Sequence, residues 1–289
     1  MTTPRILIVA GSDSGGGAGI QADIKTVTML GGHAMTAITA VTAQNTLGVQ
    51  GVHPVPADIV VQQMRSCLDD IGADAVKIGM IGSAATAHAV ADVLAALDVP
   101  IVFDPVMVAT SGDALADTDT IAAFDRLMRL ATVATPNTPE LATLSGCEVL
   151  DEVSQQIAVA ALRQRTGCRA ILAKGGHLIW SGYTYGANAQ GEPCRYNNDT
   201  QVFDVLFGDE VGEVVWNYRR IDTRSTHGTG CTLASAIATG VGARMELSAA
   251  IGRAIAFVRA SLERAPGLGQ GHGPMGQQSA TEFRTSDGR

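Results

Sequence analysis

Short β-branched runs that alternate with longer alanine-rich helical patterns most constrain the fold of this chain. The runs that read as buried strands are RILIVAGS, MTAITAVTAQ, AVKIGMI, VPIVFDPV, TVATPN and AILAKGGH. Helical patterns such as IQADIKTVTML and ADIVVQQMRSCLDDI separate them. Continuous apolar strands joined by helices are typical of a mostly parallel sheet with helices on both faces. The sequence therefore predicts an α/β fold in which ligands bind beyond the carboxyl ends of the strands.

The net charge of the chain limits the kinds of partner that it can bind, and its cysteines indicate the redox environment of its compartment. A formal net charge of −8 argues against nucleic acid or an anionic membrane as the main partner. Five scattered cysteines with no CxxC pair indicate reduced thiols, not a disulfide framework or a zinc site. The N-terminal apolar run is too short for a signal peptide, and no apolar run is long enough to span a membrane. We therefore expect a cytoplasmic protein.

The domain organisation is predicted from where the alternating pattern holds and where it stops. The pattern favours one domain over residues 1–268. Within it, residues 178–198 are rich in glycine, tyrosine and asparagine, which is typical of a surface insertion. Apolar periodicity is lost over residues 269–289, which predicts a frayed, flexible tail.

A glycine-rich stretch, GSDSGGGAGIQAD, follows the first predicted strand. Its glycines do not give GxGxxG running into a helix, and GxxxxGK[ST] occurs nowhere in the chain, so both nucleotide fingerprints are excluded. Asp23 lies just inside the following helix, where it would repel a pyrophosphate. Two interpretations remain: a flexible turn with an acid favoured by the helix dipole, or a glycine flap over a polar substrate that Asp23 binds.

Two further strand ends carry side chains suited to a small ring. Gln44 has both donors and an acceptor, so it can read the edge of a heterocycle, or it can be an ordinary loop amide. Met80 lies close to two glycines and is either a soft apolar wall or core filler.

Oxygen ligands follow two other predicted strands. Asp104 ends one of them, and Asn137 and Glu140 stand three residues apart after the next. Such residues can hold Mg²⁺ through water, because magnesium prefers oxygen ligands and keeps several waters. Equally, Asn137 with Pro139 can form a turn or a helix cap.

Lys174 ends a predicted strand immediately before two glycines. The chain has only two other lysines, Lys25 and Lys77. A lysine at this place is either a phosphate contact or a solvated strand end.

The stretch THGTGC, residues 226–231, opens a small-residue helix pattern. The glycines let backbone amides converge, and the helix start adds its positive end, so the loop predicts an anion site. A thiol at such a position is expected to have a lowered pKa, and Cys231 could accept a proton from an alcohol that attacks a γ-phosphate. The alternative is a small buried thiol that packs at the helix start.

Taken in order, these motifs resemble those of the hydroxymethylpyrimidine/phosphomethylpyrimidine kinases of thiamine biosynthesis, within the ribokinase-like group. The matching stretches are IVAGSD, GGAGIQADIKT, AQNT, KIGM, DPVM, SGD, TPNTPE, KGGH, THGTGCTLASAIA and GHGP. They cover nearly the whole chain, and GAGIQADIKT and HGTGCT are the most specific.

The resemblance implies a ribokinase-like fold and a homodimer. It also implies an enzyme that uses ATP and Mg²⁺ to phosphorylate the hydroxymethylpyrimidine and then its monophosphate. The residues that would bind the pyrimidine are Gly11, Asp23, Gln44, Met80 and Val106. Cys231 takes the place at which sugar kinases of the wider group carry an aspartate base.

The same resemblance assigns the residues around the phosphates. Those that would meet ATP phosphates are Lys174, Gly228, Thr229 and Gly230. Those that would organise Mg²⁺ are Asn137 and Glu140, and we group Asp104 with them.

The chain departs from the family pattern in the flap, where GSDPSGGAGI becomes GSDSGGGAGI with Ser14 and Gly15. Loss of the proline is expected to loosen the flap. Pyridoxal kinase shares the fold and is the nearest alternative, although its loop more often reads GTGD. Hydroxyethylthiazole kinase lacks the GAGIQADIKT flap. A non-catalytic pyrimidine sensor would need no phosphate machinery.

Overall fold

A computed structural model describes residues 3–109, 112–176, 200–209 and 212–284. The predicted insertion at residues 178–198 and the last residues, 285–289, lie outside the described residues.

One nine-stranded sheet organises the fold. Its strands in chain order are β1 (Arg5–Asp13), β2 (His33–Asn45), β3 (Gly48–Pro54), β4 (Ala75–Ile78), β5 (Ile101–Phe103), β6 (Val133–Ala134), β7 (Ala170–Ala173), β8 (Gln201–Gly208) and β9 (Gly212–Arg219). The spatial order is β3-β2-β1-β4-β5-β6-β7-β8-β9.

The centre of the sheet is parallel, as the alternating pattern predicts. Strands β2, β1, β4, β5, β6 and β7 pair in parallel, and each coincides with one of the predicted buried runs. Antiparallel strands close both sides: β3 pairs with β2, and β8 pairs with β7 and β9. These antiparallel strands were not predicted, because two of them follow the insertion and the third is mostly exposed.

Helices cover both faces of the sheet. They are α1 (Gly19–Met29), α2 (Ala57–Asp70), α3 (Ala84–Leu94), α4 (Thr118–Leu130), α5 (Thr138–Ser145), α6 (Glu152–Thr166), α7 (Thr229–Gly242) and α8 (Leu247–Glu263). Helices α1, α7 and α8 share a core with one face, whereas α2, α3, α4 and α6 share a core with the other. Of the helices that the structure describes, none is long and apolar enough to cross a membrane.

Local caps fix where several helices begin and end. Asn137 and Glu140 form a reciprocal capping box at the start of α5, and Asp151 and Ser154 do the same for α6. Both helices end at a left-handed glycine, Gly146 for α5, with φ of 71°. These caps place α5 directly behind the end of β6.

The C-terminal segment packs against the body of the protein over residues 269–284, so the expectation of a frayed tail is wrong there. Met275 and Gln277 are buried, and the Gln277 side chain donates to Thr232 Oγ1 at 3.1 Å. The His227 amide donates to the Gly273 carbonyl at 3.1 Å. Hydrophobic periodicity missed this segment because its buried apolar residues, Met275 and Ala280, are too few and too irregularly spaced to form a stripe.

The core predicts a large difference between two leucines. Leu127 of α4 is 0% exposed, and Leu150 before α6 is 64% exposed. Leu127→Ala should lower the free energy of unfolding by about 2–5 kcal/mol, because it removes buried apolar contacts and leaves a cavity. Leu150→Ala should change it by less than about 0.5 kcal/mol. Urea unfolding followed by circular dichroism measures both; equal losses would contradict the described burial.

Candidate active site

A cavity of about 760 Å³ lies at the carboxyl ends of the parallel strands. The predicted site residues that line it are Gly11, Gln44, Met80, Val106, Asp104, Asn137, Glu140, Lys174, Gly228, Thr229, Gly230 and Cys231. The sheet therefore brings together residues from distant parts of the sequence. Asp23 is the exception among the predicted residues.

Asp23 is completely buried and does not line the cavity. Its carboxylate pairs with Lys77 Nζ at 2.9 and 3.0 Å and accepts a hydrogen bond from Ser235 Oγ at 2.6 Å. The predicted direct contact of Asp23 with a substrate is therefore corrected. The Asp23 side chain points away from the cavity, because it lies on the face of α1 that packs against α7 and β4.

The glycine flap is held by Asp13, at the end of β1. The Asp13 carboxylate accepts hydrogen bonds from the amides of Gly15, Gly17 and Ala18 and pairs with His227 Nε2 at 2.9 Å. Burial acts against this charge, but the bonds from His227 and the amides leave the pKa of Asp13 below its usual value. Asp13 and His227 were not among the residues predicted from the sequence. Their positions within the motifs GSD and THGTGC could have indicated that they belong to the site.

The anion loop and the flap touch at two glycines. Gly228 caps α7 with φ of 83°, and a Cβ added to it would stand 1.9 Å from the Gly17 carbonyl oxygen. Only glycine satisfies both the left-handed backbone and this close approach. The Thr229 amide donates to the Thr226 carbonyl at 3.4 Å. The amides of Gly230 and Cys231 have no acceptor within the helix, and both residues line the cavity at the positive end of α7.

Three charged side chains meet below the anion loop. Lys174 Nζ lies 3.0 Å from Asp104 Oδ1 and 3.9 Å from Glu140 Oε2. A Cβ at Gly230 would stand 3.2 Å from Asp104 Oδ2, so the loop rests almost directly on this pair. The arrangement offers a cation and two carboxylates at one point of the cavity wall.

Glu140 is the unusual acid of this group. Its Oε2 accepts from the Asn137 amide at 2.8 Å, and the Asn137 side chain accepts from the Glu140 amide at 2.9 Å. The helix-cap interpretation of Asn137 is thus confirmed as a structural fact. Burial raises the pKa of Glu140 to about 7, although Lys174 acts in the opposite direction.

Cys231 lies in the first turn of α7 and is partly exposed to the cavity. Burial raises the pKa of its thiol to about 11, and the nearby Lys77 opposes that rise. The expected lowering of this pKa is therefore wrong for the protein without ligands. The carboxylates of Asp23 and Asp104 raise this pKa further.

A second group of residues that the sequence analysis missed lines the far end of the cavity. Asp204 of β8 is buried, accepts from Tyr218 Oη at 2.5 Å and accepts from the Gly175 amide at 2.9 Å. The Arg259 guanidinium stacks 5.0 Å from the centre of the Tyr218 ring. These residues follow the insertion, where no motif marked them.

Comparisons with known proteins agree with this architecture. Residues 13–276 match the family described as phosphomethylpyrimidine kinase. A hydroxymethylpyrimidine/phosphomethylpyrimidine kinase of Streptomyces coelicolor is 44% identical over 277 residues, which are 95% of this chain and 94% of that protein.

Solved structures show the same fold. A Bacillus subtilis pyridoxal kinase, solved as an ADP complex, is 30% identical with a TM-score of 0.81 and covers 96% of this chain and 98% of its own. A Clostridium difficile phosphomethylpyrimidine kinase is 31% identical with a TM-score of 0.71 and covers 89% and 98%. The fold is therefore ribokinase-like, and the chain belongs to the phosphomethylpyrimidine kinase family.

Proposed function

We propose that this protein is an ATP-dependent kinase of thiamine biosynthesis. It phosphorylates 4-amino-5-hydroxymethyl-2-methylpyrimidine and then converts the monophosphate to the diphosphate. The observation that carries the proposal is one continuous cavity lined both by Gln44 and Met80 and by the anion loop with Lys174. A heterocycle and a triphosphate can therefore meet in a single site.

The pyrimidine would lie between the flap and the end of β4. Met80 and Val106 supply apolar walls, and Gly11 keeps the space beside Met80 open, since a Cβ there would stand 2.9 Å from Met80 Sδ. Gln44 offers its amide to the edge of the ring. Its oxygen accepts from Thr42 Oγ1 at 3.3 Å, which orients the amide before a ligand arrives.

The phosphates of ATP would lie over the anion loop. The amides of Gly230 and Cys231, at the start of α7, would donate to the negative charge that develops on the phosphate, which is the main contribution expected for phosphoryl transfer. The side chain of Thr229 lies beside them at the cavity. Lys174 is partly exposed at the same wall and adds a fixed cation. Its ion pair with Asp104 holds it in place until phosphate oxygens compete for it.

Mg²⁺ fits the acids beside Lys174. Within the described ranges, no group of three or more histidine, cysteine, aspartate or glutamate side chains could hold a metal ion by itself. Asp104 and Glu140 provide two carboxylates, and magnesium commonly takes one or two of these together with waters and substrate phosphates. When bound, the ion would neutralise phosphate charge. Asn137 acts through its cap, which fixes the position of Glu140.

Cys231 would take the proton of the first reaction. The Cys231 thiol first gives up its own proton to solvent. The substrate hydroxyl oxygen then bonds to the γ-phosphorus, the bond from that phosphorus to ADP breaks, and the hydroxyl proton passes to the Cys231 thiolate. The transition state is loose, so the proton leaves late and positioning carries most of the rate. In the second reaction a phosphate oxygen attacks, and it brings no hydroxyl proton when it is fully ionised.

A homodimer is supported by the exposed side of the sheet at β3. This strand forms one edge of the sheet, and Val41, Leu47 and Val52 around it are 50%, 65% and 42% exposed. Unpaired edges and exposed apolar side chains favour association. Light scattering on a sizing column should give twice the chain mass of 29.8 kDa; the mass of one chain would overturn the dimer.

Cys231→Ser tests the base. The backbone amide of the anion loop is kept, so substrate binding should remain while turnover of the hydroxymethylpyrimidine falls by about 100-fold or more. Turnover of the monophosphate should fall much less, because no hydroxyl proton has to be removed. Steady-state kinetics on each substrate measures this difference. Wild-type turnover, or equal losses in both reactions, would refute the role of a base.

Glu140→Gln tests the metal assignment through pH. A carboxyl group with a pKa raised to about 7 is mostly protonated at pH 6 and mostly ionised at pH 8, and only the ionised form binds Mg²⁺ well. The Mg²⁺ concentration for half-maximal rate should therefore fall as the pH rises. The phosphates of ATP also titrate in this pH range and contribute to the same dependence. Glu140→Gln is the control: the part of the pH dependence of the Mg²⁺ requirement that comes from Glu140 should disappear in this variant. An unchanged dependence would remove Glu140 from the metal site.

The function itself is tested by ATP consumption with Mg²⁺ and four acceptors offered separately. These are the hydroxymethylpyrimidine, its monophosphate, pyridoxal and hydroxyethylthiazole. Turnover of both pyrimidines is the expected result. Turnover of pyridoxal alone would keep the phosphate chemistry and replace the substrate, and pyrimidine binding without any turnover would favour a sensor.

A further inference from the structure

A buried ion pair lies directly behind the cavity wall. Lys77 of β4 and Asp23 of α1 are both 0% exposed, and neither lines the cavity. Lys77 Nζ contacts the two carboxylate oxygens of Asp23 at 3.0 and 2.9 Å. Burying two charges costs desolvation free energy, and packed apolar residues at the same place would not have this cost. The pair is therefore expected to have a role other than stabilising the fold.

Two helices bring this pair under Cys231. On α7, Ser235 is one turn after Cys231, so both face the same way, and Ser235 Oγ donates to Asp23 at 2.6 Å. On α1, Asp23 is one turn after Gly19, and Gly19 lines the same cavity as Cys231. The two turns lie side by side, with the thiol and Gly19 above and the Asp23 carboxylate below.

Lys77 approaches the same place from the sheet. A Cβ at Gly79 would stand 2.7 Å from Lys77 Nζ, so the ammonium group lies just beneath the end of β4. The next residue, Met80, lines the cavity. The positive charge therefore lies one layer behind the reacting groups, where solvent does not screen it.

Four charged side chains act on the thiol from the elements around it. Lys77 and Lys174 favour the thiolate, whereas Asp23 and Asp104 oppose it. Burial works against a charged Lys77, yet Asp23, Cys231 and Asp104 together hold its pKa above the usual value. Lys77 therefore stays positively charged, and its contacts with both carboxylate oxygens of Asp23 fix the position of its ammonium group.

We propose that Lys77 and Asp23 are a pair of positioning residues that set the ionisation of Cys231, with Lys77 stabilising the thiolate and Asp23 limiting that stabilisation. The inference rests on the proposed function, in which Cys231 takes a proton. After each transfer the thiol returns its proton to solvent, and the Lys77 cation favours that loss. Neither residue touches the substrate.

The test is the rate at which iodoacetamide alkylates Cys231 between pH 7.5 and 9.5, followed by peptide mass spectrometry on the intact protein. Lys77→Met should slow alkylation, and Asp23→Asn should speed it. A change of one pKa unit alters the thiolate fraction tenfold, while the opposite change in nucleophilicity leaves about three-fold in the rate. Opposite signs are required, because a merely structural role would move both variants in the same direction.

Either single change leaves one buried charge without its partner, so a double variant keeps the test valid if a single variant does not fold. In Lys77→Met with Asp23→Asn no such charge remains. Alkylation should still be slower than in the wild type, because Lys77 acts on the thiol more strongly than Asp23. Asp74→Asn is the matched control: it removes an acid from the Arg5 pair, near the opposite ends of β1 and β4, and should leave the rate unchanged.

Activity gives the second readout. Lys77→Met should lower kcat for the hydroxymethylpyrimidine about ten-fold or more with little change in KM. Two results would overturn the inference: alkylation rates that do not move in the stated directions, or a kcat that stays at the wild-type value while alkylation slows. Alkylation needs no substrate, so a failure of the proposed kinase activity would appear separately, in the ATP-consumption assay.

Discussion

Parallel pairing of the central strands is the constraint on which the rest of the structure depends. Because of this pairing, the carboxyl ends of six strands lie at the same edge of the sheet: β1, β2, β4, β5, β6 and β7. The residues that follow these strands therefore meet around one cavity. The flap, the acids, Lys174 and the anion loop come from positions more than 200 residues apart. None of them needs a long loop to reach its neighbours.

Charge is arranged in two buried layers around the anion loop. Asp104, Lys174 and Glu140 form one layer at the cavity wall, and Lys77 with Asp23 forms another behind it. Each layer contains at least one cation held by a carboxylate. Each carboxylate stabilises its buried lysine, because an unpaired charge would be costly to bury. Of these two lysines, only Lys174, at the cavity wall, is placed to reach a ligand.

Much of this site could be predicted from sequence, because strand ends in a parallel sheet are easy to recognise. Gln44, Asn137, Lys174 and Cys231 all line the cavity, as strand-end and loop positions suggested. The direction of Asp23 could not be predicted, since it depends on which face of α1 meets α7. The raised pKa of Cys231 depends likewise on burial and on acids that are distant in sequence.

The C-terminal segment connects the end of the chain to the anion loop through the bonds of Gly273 and Gln277. In the order of the chain these residues come after every strand of the sheet. The sheet and its core can therefore form before the anion loop has gained its hydrogen bonds to Gly273 and Gln277.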